Sequence, residues 1–259
     1  MIRFEQVTHD YGGGAVFRDL EVEVAGGTLT VVCGPNAVGK TTLLRLAAGL
    51  LVPTRGRVRL ADRPLPEWGL RALSGRRAFM SQRFECATGF TVAHVLELAV
   101  PAGIWDRETR SGGSRDGGTR AQVVEALELG PLLRRSVGSL STGQAQRVAF
   151  GRLLLQCPAD GVLLLDEPFA ALDPRWSLIF SRMLRERVGQ GGTVLVSIHD
   201  LGLAGGLAEE VLLLSGEGLA AHGPAAEVLR PEVLEAAYHV GFELLQTRTG
   251  RSIPVTEGP

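Results

Sequence analysis

A chain of 259 residues with 45% hydrophobic content can bury the core of one large domain or of two closely packed subdomains. Its 27 basic residues are offset by 28 acidic ones, and the resulting formal charge of -1 excludes the broad basic field that draws a protein to nucleic acid. The 3 cysteines, Cys33, Cys86 and Cys157, are widely spaced and form no CxxC pair, which argues against a disulfide framework or a zinc site and leaves them as buried small apolar residues.

The segment 2-7 alternates apolar and polar residues like a half-buried strand, without the continuous apolar core of a signal peptide. Leu20, Val22 and Val24 repeat the pattern after Gly12-Gly13-Gly14, so the two segments predict an antiparallel edge. Tyr11, in the glycine-rich turn between them, is placed to stack on a flat heterocycle or simply to pack. Leu29 to Cys33 is a short apolar run rich in β-branched residues, as expected of a strand covered on both faces.

Gly34-Pro35-Asn36-Ala37-Val38-Gly39-Lys40-Thr41-Thr42 follows that strand in the pattern G-x-x-x-x-G-K-[ST]. Its glycines let backbone approach phosphate closely, successive N–H groups turn inward, and Thr41 offers a hydroxyl to Mg²⁺. Lys40 is the only lysine in a chain that otherwise uses arginine. A compact ammonium on a flexible stem acts on phosphate as a point charge, a role the planar guanidinium fork does not reproduce. A helix over 41-49 then places its positive end at the anion, with Gly49 as its stop.

Alternation at 57-60 predicts another strand, and the run 78-81 a further one ending in Gln82, which is either a polar terminus or a holder of metal-bound water. Between Cys86 and Cys157 the period becomes helical, with Val92, Val95, Leu96 and Ala99 on one face and Ala121, Val124, Leu127 and Leu129 on another. Within this stretch, 111-119 is a flexible linker by composition. Ser141-Thr142-Gly143-Gln144 opens a helix to Gln156 whose N-terminus is either a second anion site or an ordinary cap. The apolar run 161-165 is a buried parallel strand delivering Asp166 and Glu167 at its carboxyl end, where open α/β sheets bind ligands. Paired carboxylates there are costly unless a cation or a reaction uses them; a solvated acidic turn is the other reading. Asp166 suits Mg²⁺, and Glu167 is placed to polarise water.

A helix from Pro174 to Val188 follows Leu172-Asp173, and the strand 193-198 ends at His199, which the sheet's other contributions draw into the site. Residues 211-214 and 218-221 predict a closing hairpin, 225-229 and 231-238 short helices, and Ile253 with Val255 a final edge. His9, His94, His222 and His239 have no metal-binding spacing. No apolar stretch reaches membrane-spanning length, so the chain is expected to be cytoplasmic and to meet a membrane only through a partner.

Taken together these residues resemble the ATP-binding-cassette ATPase family over nearly the whole chain. Gly34 to Thr42 is similar to its Walker A loop, Gln82 to the Q-loop, and Leu140 to Gln144 to the family signature. Val162 to Glu167 is similar to Walker B, Leu172-Asp173 to the D-loop, His199 to the switch histidine, and Tyr11 to the adenine-stacking aromatic. The resemblance implies an α/β fold. A P-loop NTPase core of mostly parallel sheet with an antiparallel β subdomain would occupy 1-85 and 158-259, and an α-helical subdomain 86-157.

It also implies ATP and Mg²⁺ as cofactors, with Thr41, Gln82 and Asp166 as metal-side ligands and Glu167, His199 and Gln82 as catalytic groups. A head-to-tail dimer would sandwich ATP between the cradle of one copy and Ser141, Gly143, Gln144 and Asp173 of another. Integral membrane permease subunits, and indirectly a solute-binding protein, would be the remaining partners, with no nucleic acid. The signature departs from the family pattern in having Thr142 where glycine is commonest, which implies a modest weakening. The tail from Gly223 to Val255 is similar to those of ATPases serving iron-siderophore, haem and cobalamin importers. An exporter, a lipid-transport ATPase and a soluble cassette that moves no solute are the alternatives.

Overall fold

The computed structural model describes residues 1-84, 89-99, 120-247, 250 and 252-257. The chain begins with β1 (Ile2–Asp10), β2 (Ala15–Val24) and the fully buried β3 (Leu29–Cys33). β1 runs past the expected end because left-handed backbone at Gln6 (φ 49) shifts the register and lets pairing resume at Val7. Helix α1 (Lys40–Ala47) is stopped by Gly49 in left-handed backbone (φ 67), as its sequence predicts. Then come β4 (Arg55–Leu60), β5 (Arg63–Pro64), α2 (Leu70–Ser74) and β6 (Arg77–Met80).

Helices α3 (Val92–Leu98), α4 (Arg120–Ala126) and α5 (Thr142–Gln156) follow. α4 ends sooner than the apolar spacing suggests. Glu128 adopts φ 49, and Leu127 and Leu129 are buried from the turn rather than from a helical face. Cys86 and the expected linker 111-119 lie outside the described residues.

The remaining elements are β7 (Val162–Asp166), α6 (Pro174–Gly189), β8 (Thr193–Ser197), α7 (Leu201–Leu207), β9 (Glu210–Ser215), β10 (Gly218–Pro224), α8 (Ala225–Val228), α9 (Pro231–Tyr238), β11 (Phe242–Gln246) and β12 (Ser252–Thr256). The glycines of α7 argue locally against a helix. Tertiary contact explains them: a Cβ on Gly202 would lie 3.0 Å from Ile253 Cγ2, and one on Gly205 3.3 Å from Leu229 Cδ1.

One sheet has the order β10-β9-β3-β8-β7-β6, with β3, β8, β7 and β6 parallel and β10 antiparallel at its edge. Alternate residues of its central strands enter two separate cores. Val31, Leu163, Leu165 and Val196 pack towards Phe150 and Phe180 of α5 and α6. Val32, Leu164, Leu195 and Leu212 pack towards Leu43 and Leu44 of α1 and the inner face of the other sheet. A strand covered on both faces has no polar side, which is why these segments read as unbroken apolar runs.

The first two strands belong, as the resemblance implies, to a second, antiparallel sheet in the order β2-β1-β4-β5, whose Ile2, Phe4, Val22 and Val58 face the second core. The final edge expected at Ile253 and Val255 forms elsewhere, because among the described residues β12 pairs only with β11, in antiparallel register.

Candidate functional site

The glycine-rich loop leaves β3 with Gly34 at φ 142, where a Cβ would stand 2.4 Å from the Leu214 carbonyl oxygen. Gly39 (φ 108) is equally constrained, its missing Cβ position lying 2.7 Å from Val16 Cγ1 and 2.9 Å from Phe17 Cζ. Ala37 carries φ 60 between them, so the loop doubles back before α1 begins. Lys40 crosses the loop it belongs to: Nζ donates to the Gly34 carbonyl at 2.7 Å and to the Pro35 carbonyl at 2.8 Å. It is 5% exposed, and burial lowers its pKa while the charge of Glu167 opposes that shift. Val38 is buried behind the loop, and Asn36 is exposed on its open side.

The register of β7 beside β8 sets Asp166 opposite Ser197. Asp166 is 2% exposed. Its Oδ1 accepts from Ser197 Oγ at 2.8 Å and its Oδ2 from Thr41 Oγ1 at 2.7 Å. Ser197 Oγ in turn accepts from the Glu167 N–H at 2.9 Å, so one hydroxyl links the two acidic residues. Glu167 is held in left-handed backbone (φ 49), where Gln82 Nε2 donates to Oε2 at 2.7 Å and His199 Nε2 contacts Oε1. Tyr11 is 58% exposed, shares a hydrogen bond of 3.3 Å with Thr42 Oγ1, and meets His9 edge-on at 4.7 Å.

Tyr11, Val16, Asn36, Ala37, Gly39, Lys40, Thr41, Thr42, Glu167 and His199 line a cavity of about 310 Å³. A cation, hydroxyls and loop backbone thus form one wall, with a carboxylate and an imidazole facing them, and an aromatic ring at the rim. Gln82 and Asp166 join through their bonds to Glu167 and Thr41.

Ser141, Gly143, Gln144 and Asp173 do not line this cavity. Ser141 caps α5 reciprocally with Gln144: the Gln144 N–H donates to Ser141 Oγ at 3.3 Å and the Ser141 N–H to Gln144 Oε1 at 3.1 Å. Asp173 caps α6, accepting from the Trp176 N–H at 3.0 Å. Gly143 packs close to the Ala171 carbonyl, where a Cβ would come within 3.1 Å, and Ser141 and Thr142 are exposed. Sequence reasoning missed Ser197, Val16 and His9. Ser197 is an ordinary strand-end serine until register sets it beside Asp166, and no spacing within the chain signals it.

Residues 17-170 match the family model described as ABC transporter. The chain belongs to the ABC transporter family. Curated ABC relatives include a hemin import ATP-binding protein of Rhodopseudomonas palustris (strain HaA2), 34% identical over 95% of this chain and 93% of its own length. Another hemin import ATP-binding protein, from Streptomyces coelicolor, is 36% identical over 94% of this chain and 85% of its own. Among solved ABC structures, an inward-facing metal-chelate type transporter superimposes with a TM-score of 0.77 at 22% identity, covering 99% of this chain and 97% of that one. A dimeric ATP-binding cassette bound to ADP and phosphate gives 0.74 at 23% identity, covering 87% and 99%. Both share the α/β cassette fold, and as the ATPase component of this ABC family the chain is an ATP hydrolase.

Proposed function

We propose that this chain is the ATP-hydrolysing subunit of an importer for haem or a related iron chelate. One observation carries the chemistry: a single cavity joins the cradle around Lys40 to Glu167 and His199 on the facing wall. The cargo rests on the hemin import relatives, which align over almost the whole chain.

Adenine stacks on Tyr11 and the triphosphate enters the loop from Gly34 to Thr42. Lys40 exchanges its two loop carbonyls for phosphate oxygens, which are stronger, charged acceptors. Glu167 polarises the attacking water, and His199 holds that water and the γ-phosphate. Catalysis is then mainly positioning and charge stabilisation in a site closed to bulk water. Asp166 fits a divalent cation, since its buried carboxylate already gathers the Thr41 and Ser197 hydroxyls and the donors are hard oxygens. Thr41, Asp166 and Gln82 would hold Mg²⁺, which supplies neutralisation of phosphate charge when bound.

We assign the wall facing this cavity to a second copy, whose Ser141, Gly143, Gln144 and Asp173 complete the site. The Ser141-capped start of α5 is suited to this, because its neutral cap leaves a positive helix end for the γ-phosphate. No described helix is long and apolar enough to cross a membrane. By likeness to the import relatives, the chain works through integral permease subunits, at the cytoplasmic face and with a solute-binding protein upstream. Purification of tagged chain from membranes tests the reading. A co-purifying polytopic permease whose haem uptake into vesicles requires ATP supports it, and wholly aqueous recovery with no such partner sinks it.

A further inference from the structure

Gly34 is gripped from two sides. Its carbonyl accepts from Lys40 Nζ, and its N–H donates to the Tyr238 hydroxyl at 2.9 Å. Tyr238 ends α9, and its ring packs edge-on against Phe242 with centroids 5.7 Å apart. His239 turns the chain in left-handed backbone (φ 58), and the Phe242 N–H donates to Glu235 Oε1 at 3.2 Å, closing that turn onto α9. The hydroxyl is half-buried, and burial pushes its pKa upward, so it stays a neutral phenol at any working pH.

The two grips on Gly34 differ in what happens when triphosphate arrives. Lys40 must release its carbonyl to reach phosphate. Tyr238 is not among the residues lining the cavity and has no reason to let go. When Lys40 releases its carbonyl, the Gly34–Pro35 peptide can turn about the Gly34 Cα, and that turn would spread into the loop's inward N–H groups. Tyr238 holds the preceding Cys33–Gly34 peptide, so the root of the loop stays fixed on β3 while the peptide beyond it moves.

We propose that Tyr238 is a positioning residue for the phosphate cradle, its hydroxyl holding the Cys33–Gly34 peptide at the root of the loop while Lys40 moves from loop carbonyl to triphosphate. This rests on the reading of the cavity as the ATP site. It gives the C-terminal segment a part in nucleotide binding. That segment also touches the far wall, where Ile253 of β12 closes on Gly202 of α7, the helix that follows His199.

Tyr238→Phe tests the proposal, because it removes one oxygen and keeps the ring on Phe242. Isothermal titration with ATP and with inorganic tripolyphosphate reads affinity per site separately from the fraction of folded sites. Loss of one neutral hydrogen bond predicts that Y238F binds both ligands about three- to tenfold more weakly, with unchanged stoichiometry. The ratio of the two affinities should stay constant, since Tyr11 holds the base elsewhere. A purely structural tyrosine would lower the stoichiometry or the melting temperature and leave both affinities at parental values, which overturns the proposal. A loss confined to ATP also overturns it. If the parent chain itself fails to bind ATP, the nucleotide reading fails and this inference with it.

Discussion

Replacing Glu167 with glutamine separates binding from chemistry in this site. Backbone cost cancels, because both side chains bear the same penalty at φ 49. Hydrogen bonding largely cancels too. Glu167 accepts from Gln82 Nε2 at 2.7 Å and contacts His199 Nε2. A glutamine keeps one accepting oxygen for one of these and offers its NH₂ group to the other, which accepts it after an amide flip of Gln82 or a tautomer change of His199. The net change in folding stability is therefore about 1 kcal/mol or less. Removing a carboxylate from the cavity also removes a charge that would repel triphosphate, so ATP affinity should hold or improve.

What the variant lacks, on the proposed reading of the site, is the base. Loss of a positioned general base costs about 10²- to 10⁴-fold in rate. At about 1.4 kcal/mol per tenfold, that is roughly 3 to 5.5 kcal/mol on the barrier. The expected outcome is turnover reduced by at least a hundredfold in a phosphate-release assay, together with a stable ATP-dependent dimer by light scattering. Turnover within tenfold of the parent would remove Glu167 from the role of base. A mass that stays monomeric with ATP would refute the shared-site arrangement.

Gly39→Ala should destabilise the fold by roughly 2–5 kcal/mol, combining left-handed backbone strain with overpacking against Val16 and Phe17. Gly12→Ala also has positive φ but nothing within 4 Å, so in urea unfolding it should show the backbone cost alone. Equal losses for the two would refute the packing argument. Thr142→Gly should raise turnover modestly, about twofold, by relieving crowding at the exposed start of α5; unchanged affinity and turnover would sink the idea. Burial pushes the Cys157 thiol from its ordinary 9.0 to about 11 and Cys33 to about 12. The folded state thus holds these protons more tightly than the unfolded state, so the benefit is complete below pH 9.0 and is lost as pH rises towards those values. The unfolding free energy should fall above pH 9, by about 1.4 kcal/mol per pH unit per thiol, and Cys157→Ala should flatten the fall.

Much of the site was legible one segment at a time. Lys40 stood out as the only lysine, and the loop around it is local chemistry: glycines where φ is positive, then a helix start. Asp166, Glu167 and His199 were legible because buried parallel strands read as apolar runs, and ligands gather at their carboxyl ends. Ser197, Tyr238 and His9 were not. Ser197 and Tyr238 act through contacts with residues distant in sequence, and a serine or a tyrosine at such a position has many local explanations; His9 meets Tyr11 only two residues away but belongs to no motif spacing. The helix α7 was missed for a related reason. Gly202 and Gly205 weaken it locally, and only their closeness to Ile253 and Leu229 shows why they are there.

What the sequence determined by itself was the set of elements and the order of chemical groups along them. Hydrophobic period, turn residues and loop glycines are set by neighbours a few positions away. What only the tertiary structure decided was partnership: β1 between β2 and β4, β12 on β11, Asp166 beside Ser197, Tyr238 on Gly34. Such pairings depend on which strand lies next to which and in what register, and a one-residue slip would bring a different side chain to each of them. Ser141 and Asp173 show the same division. Their capping role is local and complete within one chain, whereas any role across a nucleotide belongs to the assembly of two.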